Sequence, residues 1–178
     1  MTGDKFYNDS LDDGYGGQPP IRFSMLETIG FTSVLDVGSG PCSLQKWLCD
    51  RGYTGHYEAV DIREDALTHC QCMTHTEIPN NQYDLVCLFG TKGYNENKNK
   101  ELTREEYKQL LSLSYLRTTK YLVFSVIKKE YDSDRIMGYS VDDVFEIIRF
   151  PSLNVISINS EIEPSEHIFV CMKNEQST

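Results

Sequence analysis

The chain has 178 residues, a length that suits one domain with a complete hydrophobic core. Its hydrophobic content of 39% and charged content of 25% are ordinary for a soluble globular protein. The net charge of −10 disfavours broad binding of a nucleic-acid backbone, because neutralising phosphates needs clustered Lys and Arg. A local basic patch at Lys92, Lys98 and Lys100 stays compatible with this charge.

The N-terminal residues and the cysteines bear on the cell compartment. Residues 1–10 are polar and acidic and no apolar run approaches a membrane span, so we expect a cytoplasmic protein without signal peptide or membrane segment. Most of the six cysteines fall within predicted strands or helices, and we expect reduced, buried thiols. Cys70 and Cys72, with His69 and His75 close by, resemble part of a zinc site, but the usual second ligand pair is missing. We therefore expect no metal.

Two regions follow from the composition along the chain. Residues 1–20 are rich in Asp and Gly and contain a Pro19-Pro20 pair, which predicts an extended arm. This arm is either a flexible tail or a lid that folds over a ligand site. Residues 21–178 are predicted to form one domain.

Helices and strands alternate along that domain. Helical spacing of Ile21, Met25, Leu26 and Ile29 predicts a helix over residues 21–30 with these side chains inward. Strands are predicted at 33–37, 57–61, 69–73, 83–89, 120–127, 153–158 and 166–172, and helices at 43–51, 63–68, 103–116 and 140–150.

Two of these helices carry start signals. Thr103 with Glu106 predicts a capping box, and Ser140 predicts the cap of the last helix. The inner face of that last helix is predicted to consist of Val141, Val144, Phe145 and Ile148.

The alternation predicts an α/β fold. Continuous apolar strands indicate a mostly parallel sheet covered by helices on both faces, and the last two strands predict an antiparallel hairpin at its edge. Residues 63–78, between the second strand and Pro79, are short for a complete helix plus strand. We therefore expect the region around the third strand to be shortened.

The stretch VLDVGSG, residues 34–40, leads from a buried strand through a glycine turn into a helix. Gly38 and Gly40 allow a ligand to approach the backbone, at the end of the strand where open α/β sheets bind ligands. A dinucleotide site requires a third glycine and free N–H groups, whereas this chain has Ser43 at that position and Pro41 in the turn. Asp36 would repel a pyrophosphate and suits a cationic or amino-bearing ligand.

Asp61 closes the next strand, where a carboxylate can accept both hydroxyls of a ribose. An amino-bearing ligand with a ribose and no phosphate fits S-adenosylmethionine better than NAD. Residues 34–40 (VLDVGSG), 60–62 (VDI) and 83–88 (YDLVCL) together resemble the first, second and fourth motifs of class I S-adenosylmethionine-dependent methyltransferases, in the right order. This resemblance covers residues 21–172 and implies a Rossmann-like three-layer sandwich that uses S-adenosylmethionine.

The resemblance also implies positions for the cofactor-binding residues. Cys42 stands near a place where many members have another glycine, so a slightly wider turn is expected. The implied set is Asp36, Gly38, Ser39 and Gly40 at the methionine part, Asp61 and Ile62 at the ribose and adenine, Thr74 or His75 near the adenine amino group, and Phe89 and Gly90 at the sulfonium side.

Methyl transfer from a sulfonium needs proximity and orientation, with a base where the nucleophile must lose a proton. The chain has neither the Asp/Asn-Pro-Pro-aromatic signature of amino-methylating nucleic-acid enzymes nor the cysteine pattern of cytosine C5 enzymes. Among the polar residues of the loops, His75 and Tyr94 are our candidates for substrate contact or proton handling. A small-molecule acceptor is the simplest expectation, and the acidic charge disfavours nucleic acid.

Two other functions are compatible with the sequence. The first is a non-catalytic S-adenosylmethionine-binding module or partner subunit of another methyltransferase. The second is an NAD-dependent oxidoreductase, against which Asp36 argues.

Overall fold

The computed structural model describes residues 21–90, 99–134 and 136–174, without the side chains of residues 65 and 66. The predicted arm, residues 1–20, and the candidate residue Tyr94 lie outside the described residues. None of the described helices is both long and apolar enough to cross a membrane.

Within the described residues, one sheet holds seven strands in the order β3-β2-β1-β4-β5-β7-β6. All neighbouring pairs among β1 to β5 are parallel, whereas β7 runs antiparallel to both β5 and β6. The predicted parallel sheet with an antiparallel C-terminal hairpin is therefore confirmed. The strands are β1 Ser33–Val37, β2 His56–Val60, β3 Met73–His75, β4 Tyr83–Leu88, β5 Thr118–Ile127, β6 Leu153–Asn159 and β7 Glu166–Lys173.

Helices cover both faces of this sheet because neighbouring strand residues point to opposite sides. Val34 packs with a cluster that contains the N-terminal helix and α1 (Ser43–Asp50), whereas Leu35 packs with a cluster that contains α3 (Lys100–Arg117) and α4 (Val141–Ile147). This is the expected three-layer arrangement. The helices are a 3-10 helix at Ile21–Thr28, α1 Ser43–Asp50, α2 Glu64–Leu67, α3 Lys100–Arg117, a 3-10 turn at Lys129–Tyr131, and α4 Val141–Ile147.

The N-terminal helix differs from the prediction in its inward face. It is a 3-10 helix with three residues per turn, so Phe23 and Leu26 lie on one side and are buried. Ile21 is 62% exposed, which makes its predicted inward position wrong, while Met25 and Ile29 are partly buried.

The third strand lies later than predicted. It covers only Met73–His75 and pairs with β2 so that Val60 faces His75. The predicted strand at residues 69–73 is wrong because Cys70 and Cys72 lie in the loop that precedes this pairing. The expected shortening of this region is confirmed.

The start of α3 also differs from the prediction. The helix begins at Lys100, and the Asn99 side chain caps it by accepting a hydrogen bond from Leu102 N at 3.1 Å. Thr103 instead lies inside the first turn, where its hydroxyl donates to Asn99 O. The predicted Thr103–Glu106 capping box is therefore wrong, since an earlier residue satisfies the first free N–H groups.

The predicted cap of α4 is confirmed. Ser140 Oγ accepts from Asp143 N at 3.1 Å, and Asp143 Oδ2 accepts from Ser140 N at 2.9 Å. The inner face is shifted, because Phe145 is 43% exposed and Ile147 is buried instead.

We expect Ser140→Ala to lower the free energy of unfolding by about 1 kcal/mol, because the first turn of α4 loses a reciprocal cap. Urea unfolding followed by circular dichroism measures this change. Ser112→Ala is the matched control, since Ser112 lies inside α3 and donates only to Lys108 O, where alanine favours the helix. An equal loss in both variants would contradict the capping role.

Candidate functional site

The loop that follows β1 lies at the centre of the sheet. The chain pairs β1 with β2 on one side and with β4 on the other, so the strand order reverses at this point. In open α/β sheets such a reversal leaves a crevice at the carboxyl ends of the strands, where ligands bind.

Three residues of this loop have left-handed backbone angles. The φ angles of Gly38 and Gly40 are 73° and 51°, values that glycine adopts without steric cost. Cys42 has a φ of 57°, so it takes up the conformation for which the resemblance expects glycine. A Cβ added at Gly40 would meet no atom within 4 Å, which leaves this part of the loop open to a ligand.

Hydrogen bonds hold the loop against the end of β2. The carbonyl of Val60 accepts from Gly38 N at 2.7 Å and from Ser39 N at 3.0 Å. Asp61 Oδ2 accepts from Gly40 N at 2.9 Å. The loop and the candidate ribose-binding carboxylate therefore form one connected unit.

Asp61 keeps acceptor capacity beyond these bonds. Its Oδ1 accepts from Arg63 N at 2.9 Å, which together with Gly40 N uses two of about four lone-pair positions of the carboxylate. The next residue, Ile62, is 84% exposed and is free to cover a ligand. Ser39 Oγ is buried and has no hydrogen-bond partner among the described residues, which fits a polar ligand group at this loop.

Asp36 is buried beneath the loop. The Tyr57 hydroxyl, from β2, donates to Asp36 Oδ2 at 2.5 Å. Burial raises the pKa of Asp36 to about 7, with a further upward contribution from Asp61, and the Tyr57 hydrogen bond and the charge of Arg22 oppose this rise. Asp36 therefore changes charge near neutral pH, and only its ionised form attracts an ammonium group. The sequence did not indicate a role for Tyr57, because only the pairing of β1 with β2 brings its hydroxyl to Asp36.

The end of β4 is enclosed by the N-terminal helix. Phe89 is 9% exposed and its ring lies 5.3 Å from the ring of Phe23, edge to face. Arg22 lies 5.8 Å from the Phe89 ring and donates to both carboxylate oxygens of Glu166 at 2.9 Å. The sequence did not indicate this buried ion pair, because its partners are 144 residues apart.

Gly90 completes this side of the crevice. Its φ is 70°, and a Cβ at this position would lie 3.6 Å from Arg22 Nη1. Gly90 N donates to Ser125 Oγ at 3.0 Å, which ties the end of β4 to β5. Phe89 and Gly90 follow the carboxyl end of β4, and their place at the sulfonium side stays a prediction.

Thr74 and His75 lie on β3, at the other end of the site. Thr74 is exposed, and both residues line an open groove of about 600 Å³ beside α2. His75 Nε2 is 2.6 Å from Glu58 Oε2, to which Tyr83 also donates at 2.8 Å. His75 lies beside the end of β2, where its carbonyl accepts from Asp61 N at 3.1 Å, and β2 separates β3 from β1.

Glu58 is the centre of this polar cluster. Burial raises the pKa of its carboxyl, but hydrogen bonds from Tyr83, His56 and His75 outweigh burial and hold the pKa below its ordinary value. The carboxylate therefore stays ionised and orients the His75 imidazole.

A disulfide joins Cys42, at the start of α1, to Cys70, in the loop before β3. The expectation of reduced thiols is wrong for this pair, because the fold brings together two loops that are 28 residues apart. Cys87 and Cys171 are free and buried, as expected, whereas Cys49 is exposed and Cys72 is partly exposed. The exposure of Cys49 and Cys72 also departs from the expectation of buried thiols.

The raised pKa of Asp36 predicts a pH effect on stability. Between about pH 4 and about pH 7, Asp36 is protonated in the folded state but ionised in the unfolded state. The free energy of unfolding of the wild-type protein therefore falls as the pH rises through this range. The loss amounts to at most about 4 kcal/mol. We expect Asp36→Asn to remove this loss, as measured by urea unfolding at a series of pH values.

The exposed Asp50 at the end of α1 offers a matched control. Asp50→Asn is expected to keep the wild-type pH profile. An unchanged profile in Asp36→Asn would show that Asp36 does not have the raised pKa.

Comparison with known proteins yields no match to any protein-family model and none to a curated protein. Solved structures match in fold. An S-adenosylmethionine-dependent methyltransferase from Clostridium acetobutylicum ATCC 824 superposes with a TM-score of 0.68 at 11% identity, over 97% of this chain and 99% of that chain.

Two further structures contain a bound cofactor or product. Magnesium protoporphyrin IX methyltransferase from Synechocystis PCC 6803, with bound S-adenosylmethionine, gives a TM-score of 0.62 at 14% identity, over 93% of this chain and 79% of that chain. The plantazolicin methyltransferase BpumL, in complex with a triazolic desmethylplantazolicin analogue and S-adenosylhomocysteine, gives a TM-score of 0.68 at 10% identity, over 96% of this chain and 91% of that chain. The strand order and these superpositions agree: the chain has the fold of the class I S-adenosylmethionine-dependent methyltransferases.

Proposed function

We propose that this protein binds S-adenosylmethionine at the loop after β1 and transfers its methyl group to a small-molecule acceptor. The observation that carries the proposal is the pair of carboxylates, Asp36 and Asp61, which flank an open glycine loop at the carboxyl ends of two adjacent strands. This arrangement suits a ligand that has both an ammonium group and a ribose, and it repels a pyrophosphate.

Each part of the cofactor has a candidate partner. Ionised Asp36 attracts the methionine ammonium, and Asp61 accepts hydrogen bonds from the ribose hydroxyls through the lone pairs that Gly40 and Arg63 leave available. Ser39 Oγ supplies a buried hydroxyl that has no partner among the described residues. Ile62, and the side of β3 that bears Thr74 and His75, border the adenine.

The cofactor supplies an electrophilic methyl group on a positive sulfonium, and the protein supplies proximity and orientation. Phe89 and Gly90 shield the sulfonium side from water. The buried Arg22–Glu166 ion pair and Phe23 hold the Phe89 ring in place. Removing one partner of this buried pair would leave an uncompensated charge. Because Arg22 also contacts the Phe89 ring, the pair has a positioning role at the site.

Two observations support a small-molecule acceptor. The net charge of −10 disfavours a long nucleic-acid backbone. The structure of similar fold with a triazolic desmethylplantazolicin analogue, and the one named for magnesium protoporphyrin IX, have compounds rather than nucleic acids in their names.

One observation favours a second function, a binding module without turnover. His75, the candidate for proton handling that lies within the described residues, is held by Glu58 and lies two strands from the central loop. A protein that binds the cofactor for a partner subunit has no need of a base beside the methyl group.

We expect isothermal titration calorimetry to detect binding of S-adenosylhomocysteine to the wild-type protein. Asp61→Ala is expected to weaken binding by about 10-fold or more, because hydrogen bonds to a charged group contribute about 1.5–3 kcal/mol each. Asp84→Asn is the matched control. It alters a carboxylate at the opposite end of the sheet, where Asp84 accepts from Thr32 N at 2.9 Å, and it should leave the affinity unchanged. If the wild-type protein does not bind S-adenosylhomocysteine, the proposed cofactor is wrong.

Turnover separates the two functions. With S-adenosylmethionine and a library of small acceptors, the enzyme is expected to form S-adenosylhomocysteine and a methylated product, detected by mass spectrometry. Binding without product for any acceptor, added alone or with co-purified partners, would instead support the non-catalytic module.

A further inference from the structure

Three cysteine side chains converge beside the candidate cofactor site. Cys42 stands at the start of α1, and Cys70 and Cys72 lie in the loop before β3. The Sγ atoms of these three residues all lie within 4.8 Å of one another. The sequence showed only the Cys70-Cys72 pair, and the fold adds the third sulfur from a distant segment.

This spacing is compatible with one tetrahedral metal ion. Zinc–sulfur bonds of about 2.3 Å place two sulfur ligands about 3.8 Å apart. The backbone is already positioned, because the Cα atoms of Cys42 and Cys70 are 5.3 Å apart. In addition, Gln71 N donates to Gln45 Oε1 at 2.8 Å, which holds the Cys70-Gln71-Cys72 segment against α1.

The oxidised form has too few ligands for such an ion, because the disulfide occupies the sulfurs of Cys42 and Cys70. A trialkylphosphine splits this bond, takes the oxygen of one water molecule to become a phosphine oxide, and leaves its two hydrogens on the two thiols. We propose that in the reduced protein the thiolates of Cys42, Cys70 and Cys72 bind one Zn²⁺ ion, with water in the fourth position. Sulfur-rich tetrahedral sites select zinc among the common divalent cations.

The site connects two segments that border the cofactor crevice. Cys42 ends the glycine loop, and Cys70 and Cys72 precede the strand that carries Thr74 and His75. An ion at this position links the loop to the β3 side when the disulfide is absent. The inference concerns metal binding alone and does not depend on methyl transfer.

Cobalt(II) titration of the phosphine-reduced, metal-free protein without oxygen tests the inference, because Co²⁺ replaces Zn²⁺ and absorbs visible light. We expect thiolate-to-cobalt charge-transfer bands and the intense bands of tetrahedral cobalt, saturating at one equivalent and abolished by added Zn²⁺. The oxidised protein should lack these bands. Competition with a chromophoric chelator then gives the Zn²⁺ affinity.

Cys72→Ser removes a ligand without touching the disulfide pair, so it remains informative if Cys42→Ser does not fold. Loss of a residue that only hydrogen-bonds a metal ligand typically weakens metal binding about 10–100-fold. Because Cys72 is proposed to bind the ion directly, we expect Cys72→Ser to weaken Zn²⁺ binding by at least this factor. Cys49→Ser is the matched control, because Cys49 is exposed on α1 and lies outside the three-sulfur group. Absence of the cobalt bands in the reduced wild type, an unchanged Cys72→Ser affinity, or an equal loss in Cys49→Ser would each overturn the assignment.

Discussion

The candidate site depends on the hydrogen bonds that join the loop after β1 to the end of β2. Gly38 and Ser39 share the carbonyl of Val60, and Gly40 donates to the carboxylate of Asp61. These bonds require a tightly curled loop, which the left-handed backbone of Gly38 and Gly40 provides. The bond from Gly40 N also holds Asp61, the candidate ribose acceptor, beside the open loop. The same hydrogen bonds therefore fix the loop conformation and position the carboxylate for a ligand.

Burial of charge is the main energetic cost of this site. Asp36 is almost completely buried, and Tyr57 and Arg22 offset only part of its desolvation, so its carboxyl titrates near neutrality. Arg22 itself is buried against Glu166 and beside Phe89. The N-terminal helix thus contributes a charge to the site as well as apolar cover. A ligand ammonium would favour the ionised form of Asp36 and recover part of this cost.

The shortened third strand shapes the other half of the site. Only three residues of β3 pair with β2, and the preceding segment forms a loop that approaches α1 instead. This brings Cys70 to Cys42 and Cys72 to both, at the end of the glycine loop. It also leaves an open groove beside Thr74 and His75. The shortened helix and strand of this region therefore account for both the three-cysteine group and the open groove.

The sequence by itself determined the alternation of elements, the central strand Ser33–Val37 and the glycine loop with Asp36 and Asp61, because these depend on local apolar runs, glycine geometry and helix caps such as Ser140. Local patterns mislead where a nearby residue competes, as Asn99 does for the start of α3. Only the tertiary structure decided the Tyr57–Asp36 bond, the Arg22–Glu166 pair and the convergence of three cysteines. These contacts arise from strand register and chain crossing, and residues far apart in sequence carry no local signal of them.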